Sequence, residues 1–287
     1  MPGSAPLAKS KRKSHGAAFR VCRTLLLAYF VACLAGCAWQ RKLIYFPTTL
    51  APDRVEAIAA KRGLVPWKNP AGDIIGWQLP ASGAATGAVL VVHGNAGCAV
   101  DRGYIAKPVH DAAAVDVFVL DYPGYGARAG SPSEKSFLAA ADESFALLTN
   151  RAPVFIVSES LGTGVAAHLA GRNRERVAGV MFIAPYNDLA SVGQRKMPFL
   201  PVRLIMQDSF PAAKWLAPYR GPAVFLVAGA DEIIPPDLGK KLHDGFAGSK
   251  KLVVIPDARH NDVAEQPPRW WSEVFAFWSA HGVEAKQ

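Results

Sequence analysis

The sequence predicts a doubly wound α/β domain built on a mostly parallel sheet, and three observations carry that expectation. Six short runs of aliphatic and β-branched residues lack polar alternation, which suits strands buried on both faces. Helix-like stretches separate the runs, as crossovers between parallel strands require. The 287 residues are 51% hydrophobic and 19% charged, enough apolar material to cover both faces of a sheet and too much for disorder. No fixed-period repeat, heptad or Gly-x-y pattern points to a fibrous or solenoid alternative.

In chain order, Ile74–Leu79 alternates weakly and reads as a strand. Ala88–Val92, Val117–Leu120, Val154–Val157, Val180–Ile183, Val224–Val227 and Leu252–Ile255 follow as the buried runs. Ser133–Asn150 reads as a helix, with Ser133 as N-cap after Pro132 and Ala, Leu and Phe at helical spacing. Leu161–Gly171, Asp237–Ala247 and Pro268–His281 complete the helices. In such sheets chemistry gathers at the carboxyl ends of the strands, so the residues just after each run are the ones to weigh.

The net charge of +9 is uneven. Residues 1–36 hold Lys9, Lys11, Arg12, Lys13, Arg20 and Arg23 and no acid, so the remainder, with 26 basic and 23 acidic side chains, carries a surplus of only three. A body so nearly balanced, with no basic stripe interleaved with aromatics, does not suit a nucleic-acid partner. Three of the four cysteines, Cys22, Cys33 and Cys37, share that N-terminus, and Cys98 alone lies in the body, so the fold rests on its core rather than on a disulfide or a zinc site.

The N-terminus reads as a targeting segment. Twelve residues, Thr24–Ala35, follow the basic stretch and precede Gly36 and Cys37, a length that fits a signal h-region better than a span of ~20 residues. Leu34-Ala35-Gly36-Cys37 resembles a bacterial lipoprotein lipobox, which implies lipid on Cys37. Counting on through Trp39 gives sixteen residues, which leaves an uncleaved signal anchor open. Either route exports the domain and tethers it to a membrane, on the periplasmic or outer-membrane side in the lipoprotein case.

Five strand ends carry candidate chemistry. After Ala88–Val92 comes His93-Gly94-Asn95-Ala96-Gly97, which as bare sequence is a glycine turn. After Val117–Leu120 comes Asp121-Tyr122-Pro123-Gly124-Tyr125-Gly126, then Gly130-Ser131-Pro132-Ser133. After Val154–Val157 comes Ser158-Glu159-Ser160-Leu161-Gly162, whose small-x-Ser-x-Gly spacing fits a sharp strand-to-helix turn that exposes Ser160; helix capping by Ser158 and Ser160 is the plainer alternative. After Val224–Val227 lies Asp231, with Glu232 as a second acid, and after Leu252–Ile255 lies His260. His110, His168 and His243 fall in or beside helix-like segments, where packing or surface roles are commoner.

Taken together these loops resemble the α/β-hydrolase family, especially a small membrane-tethered group carrying His-Gly-Asn-Ala-Gly and Asp-Tyr-x-Gly-Tyr-Gly, over roughly residues 40–282. The resemblance implies an α/β-hydrolase fold with a short lid insertion at about residues 186–222. It divides the chain into a signal or anchor at 1–36, a tether and first-strand region at 37–70, and a catalytic domain at 71–287. It implies Ser160 as nucleophile, His260 as base, Asp231 as the acid and the amides of Asn95 and Leu161 as oxyanion donors, with no cofactor or metal. His93 would brace its loop, and Asp121, which precedes the serine, would stabilise a turn. Arg259 stands where the family usually has Gly. The expected reaction is hydrolysis of a small-molecule or lipid acyl ester, with a serine peptidase or an idle lipid-anchored binding module as alternatives. The lid, with Met197-Pro198-Phe199-Leu200-Pro201-Val202-Arg203-Leu204-Ile205-Met206, is apolar, which suits either acyl binding or core packing.

Overall fold

The computed structural model describes residues 10–148, 150–151 and 153–282. In chain order the elements are α1 (Ser10–Ile44), β1 (Phe46–Pro47), α2 (Pro52–Lys61), β2 (Val65–Lys68), β3 (Ile74–Leu79), β4 (Ala88–Val92), β5 (Ala96–Gly97), α3 (Gly103–Ala112) and β6 (Asp116–Leu120). They continue with α4 (Glu134–Ala146), β7 (Val154–Glu159), α5 (Gly162–Arg172), β8 (Val177–Ile183), α6 (Leu189–Lys196), α7 (Val202–Ile205), α8 (Ala212–Leu216), β9 (Ala223–Ala228), α9 (Pro236–Gly245), β10 (Lys250–Ile255) and α10 (Pro268–His281).

The main sheet has eight strands in the order β10-β9-β8-β7-β4-β6-β3-β2. From β10 to β6 all pairings are parallel; β3 pairs antiparallel with β6 and β2 antiparallel with β3. The chain leaves β4 toward β6 on one side and returns later to β7 on the other. That reversal opens a crevice beyond the carboxyl ends of β4 and β7.

Each face of the sheet has its own core. Leu90, Ile156, Phe182 and Phe225 point to a layer closed by Phe137 of α4, Leu169 of α5 and Leu242 of α9. Val89, Val91, Val157 and Leu226 point to the other layer, closed by Ile105 of α3 and Trp278 of α10. Burial on both faces is why the central strands show no alternation. The Trp278 ring stacks on Phe155 at 4.8 Å and lies where Gly179 leaves space, since a Cβ there would sit 2.5 Å from it.

Several boundaries differ from expectation. The helix expected over Ser133–Asn150 ends at Ala146, because Leu148 N turns back to Phe145 O at 3.0 Å; Thr149 lies outside the described residues. The strand β2 escapes a sequence reading because Pro66 lies inside it, which an edge strand tolerates. The 70/71 boundary falls in the turn between β2 and β3, so it divides the sequence and not the sheet. At the N-terminus the short apolar run belongs to one unbroken helix that continues through Gly36 and Cys37 to Ile44. Its stretch Ala17–Ile44, 28 residues, is long and apolar enough to cross a membrane. Lys9 lies outside the described residues.

Candidate active site

The turn after β7 is strained by design of its sequence. Ser160 has φ +50°, a left-handed backbone that a non-glycine residue seldom adopts. Two bonds hold it there: Ser160 N donates to Ile183 O at 2.8 Å and Thr163 N to Ser160 O at 2.8 Å. The small flanking residues are dictated by space. A Cβ on Gly162 would lie 2.2 Å from Val92 O and 3.0 Å from His93 O. Ser158 fits the first position because its buried hydroxyl donates to Met181 O at 3.0 Å. The alternative in which these serines only cap a helix is not what the structure has: α5 is capped at Leu161 without a side-chain bond.

The loops after β9 and β10 are stitched to each other. Gly229 N donates to Ile255 O at 2.8 Å and Ala230 N to Ala258 O at 3.0 Å. A Cβ on Gly229 would meet Pro256 O at 2.4 Å. This contact sets Asp231 beside His260. Asp231 Oδ1 accepts from the amides of Ile233 at 2.8 Å and Ile234 at 2.7 Å, which fixes the carboxylate. Its Oδ2 lies 2.8 Å from His260 Nδ1, and His260 Nε2 lies 3.0 Å from Ser160 Oγ. A carboxylate only accepts, so Nδ1 carries the proton and Nε2 is left to accept from the serine hydroxyl. The Asp231 side chain is 2% exposed and that of His260 8%, so water screens the line little. Glu232, the second acid considered, reaches only the His260 backbone amide, at 3.5 Å.

The glycine turn after β4 lies across the crevice. Asn95 and Leu161 both line the cavity above Ser160, and among the described residues neither backbone amide donates to a partner. The Asn95 carbonyl accepts from Phe46 N at 2.8 Å and Tyr125 Oη at 2.7 Å, and its side chain donates to Ile44 O at 2.8 Å. The loop is thus tied to the end of α1. His93 is fully buried, packs on Tyr122 and Tyr125, and donates from Nδ1 to Gly94 O at 2.8 Å. Burial, then the nearby Arg102 charge, pushes its pKa well down. Asp121 accepts from Ala99 N at 2.8 Å and Trp77 Nε1 at 3.1 Å, away from the imidazole of His260; burial raises its pKa to about 6 against those bonds.

The other histidines have partners elsewhere. His110 reaches Pro80 O, His168 reaches Asp142 and His243 reaches Asp244. Arg259 is exposed and does not line the cavity among the described residues.

The cavity has a volume of about 710 Å³. One side carries a polar group that sequence reasoning missed. Tyr104 Oη donates to Glu159 Oε1 at 2.6 Å, Arg102 Nη1 donates to Tyr104 Oη at 2.7 Å, and Arg102 lies 3.5 Å from Glu159 Oε2. No motif signals it, since Arg102 and Tyr104 come from a stretch without pattern. The rest is apolar. Of the lid, Met197, Leu200, Val202, Ile205 and Met206 line the cavity, so these residues face the crevice rather than the sheet core.

Comparison with known proteins decides the family. An alpha/beta hydrolase fold profile matches residues 87–204. An uncharacterised protein of Mycobacterium tuberculosis is 33% identical over 254 residues, covering 84% of this chain and 89% of that protein. The chain belongs to the alpha/beta hydrolase family. The lysophosphatidylserine lipase ABHD12 of Gallus gallus is 30% identical over 211 residues, covering 65% of this hydrolase but only 54% of ABHD12 itself. Est1E from Butyrivibrio proteoclasticus superposes with a TM-score of 0.60 at 15% identity, over 71% of this chain and 95% of Est1E. Solved esterases and lipases are among the structures that share the fold.

Proposed function

We propose that this alpha/beta hydrolase cleaves acyl esters through Ser160, His260 and Asp231. The observation that carries the reading is the continuous line from the Asp231 carboxylate through the His260 ring to the strained Ser160 hydroxyl, under an apolar cavity. Ser160 Oγ attacks the acyl carbonyl carbon as its proton passes to His260 Nε2. Asp231 holds the ring by Nδ1 and stabilises the imidazolium. The amides of Leu161 and Asn95 take the oxyanion, each such donor being worth roughly 10²–10³ in rate. His260 returns the proton to the departing alkoxide. It then deprotonates a water that attacks the acyl-enzyme and hands that proton to Ser160 Oγ as the acid departs. A wall of Leu, Ile, Val and Met favours an acyl chain over a charged or peptide substrate.

The N-terminus is read as a membrane attachment of an exported enzyme. The basic residues before Thr24 favour a cytoplasmic start, which leaves the hydrolase outside. Leu34–Cys37 supports cleavage and acylation at Cys37; the unbroken apolar helix Ala17–Ile44 supports an uncut anchor. Mass spectrometry of the purified N-terminus separates them: an acylated Cys37 supports the first, and residues before Cys37 still attached support the second.

The activity is tested with p-nitrophenyl esters of rising chain length. The wild type is expected to hydrolyse them and Ser160→Ala to lose on the order of 10⁴–10⁶ in kcat. Substantial esterase activity in purified Ser160→Ala contradicts the assignment. Preference for a peptide p-nitroanilide over every ester favours the peptidase alternative.

A further inference from the structure

We infer that the membrane-attached helix α1 is itself a wall of the acyl site, and that the acyl chain of a bilayer-resident lipid ester enters sideways between this helix and the lid. The chemistry rests on the ester-hydrolase reading above; the route rests on separate geometry.

The cavity that holds Ser160 is lined by Leu43 and Ile44 of α1 and by Met197, Leu200 and Ile205 of the lid. A membrane tether has no need to line a substrate cavity. Polar ties fix the two walls together. Gln40 Nε2 donates to Ile205 O at 3.2 Å, and Gln207 N donates to Gln40 Oε1 at 2.7 Å. Arg41 Nε and Tyr45 Oη both donate to Asp208 Oδ2 at 3.0 Å, and Asp208 is buried. Asn95 Nδ2 closes the last turn of α1 at Ile44 O, so the same helix end also holds the loop over Ser160.

These ties set the depth of the cavity mouth. Thr24–Trp39 has no charged residue, and sixteen helical residues rise about 24 Å, a little short of a ~30 Å hydrocarbon layer. Arg23 and the Gln40–Arg41 pair therefore sit at the two interfaces, with Trp39 in the position aromatic belts occupy. The lid touches α1 at this level: a Cβ on Gly36 would lie 3.6 Å from Ile205 Cδ1. Beside that contact, Phe199 and Leu204 are 88% and 87% exposed. Large apolar side chains so placed lose nothing in lipid and are costly in water. With the mouth at the bilayer surface and both walls apolar, an acyl chain slides in without crossing water. An N-terminus cut at Cys37 keeps the Gln40–Ile44 wall and its ties to the lid, and the acylated Cys37, three residues before Gln40, then holds the mouth at the membrane in place of the spanning helix.

The test uses the full chain in phosphatidylcholine/phosphatidylglycerol vesicles, with 1-monooleoylglycerol as the bilayer-resident ester and p-nitrophenyl butyrate as the soluble one. Leu43→Glu, at a position 58% exposed, is expected to lower the monooleoylglycerol-to-butyrate rate ratio at least about tenfold, since a long acyl chain uses that wall more than a butyryl group does. Phe199→Asp/Leu204→Asp is expected to lower the same ratio by loosening the lid from the surface. Unchanged ratios in both variants, with both esters cleaved, overturn the inference and leave the hydrolase reading standing. A photoreactive benzoylphenylalanine at position 204 is expected to form lipid adducts on irradiation, while one at exposed Arg174, before the amino end of β8 and so at the opposite end of the strands from Ser160, is not. No adduct at 204, or equal adducts at both positions, overturns the inference whatever the enzyme's activity.

Discussion

The carboxyl ends of β7, β9 and β10 and the wall formed by α1 and the lid face the same cavity, yet they are built on opposite principles. At the strand ends each atom has one allowed place. Ser160 is held at φ +50° by two backbone bonds, and Asp231 by two amides. The α1–lid wall has polar ties at Gln40 and Asp208, but its inner surface is interchangeable Leu, Ile, Val and Met. On the proposed reading, one region fixes positions for a proton transfer and the other only a polarity and a depth. Substitutions in the first should act on rate for every substrate, and substitutions in the second on which substrate is taken and on local stability.

The largest expected effect breaks the first region. His260→Ala should lose about as much kcat as removal of the serine, and Ser160→Ala/His260→Ala little more, because nucleophile and base act as one unit. Additive losses in the double variant, read from kcat on p-nitrophenyl butyrate, contradict that coupling.

A smaller effect sharpens it. Burial raises the Asp121 pKa to about 6 from an ordinary 3.8. The folded protein therefore keeps a proton that the unfolded chain has already released, so this group's contribution to stability is greatest below about pH 4, falls between about pH 4 and 6 by roughly 2–3 kcal/mol, and levels above that. Urea unfolding of Asp121→Asn beside wild type should show that component of the slope removed. The same slope in both shows that Asp121 is ionised throughout.

The smallest effect belongs to the wall. Asp208→Ala removes the acceptor of Arg41 and Tyr45 and leaves a buried tyrosine hydroxyl unpaired, costing about 1–3 kcal/mol. Limited proteolysis should then cut residues 186–222 earlier, with hydrolysis of the soluble ester reduced far less than in His260→Ala. Equal sensitivity of the lid in both proteins contradicts the clamp.

The contrast also explains what the sequence revealed. The central strands were legible because two buried faces force unbroken aliphatic runs, as at Ala88–Val92, while Ile74–Leu79 was legible from its weak alternation. Ser160, Asp231 and His260 could be singled out in the sequence because their loops, each after a strand, resemble those of the α/β-hydrolase family. Their convergence from three loops, at 2.8 Å and 3.0 Å, was not legible, since it depends on sheet order. The β2 strand hid behind Pro66, and the Arg102–Tyr104–Glu159 group behind the lack of any periodic signal. The apolar N-terminus showed its composition but not its second use. An apolar run reads alike whether or not it also walls a cavity, and the Gln40 and Asp208 ties to the lid are what show the wall.

The central claim is that Ser160 is a nucleophile activated by His260 and Asp231. The most direct measurement is labelling of the full chain with a fluorophosphonate probe, followed by mass mapping of the modified peptide. The expected result is a single adduct on Ser160 in the wild type, absent in Ser160→Ala and nearly absent in His260→Ala. A folded wild type that takes no label, or takes it at another residue, contradicts the account.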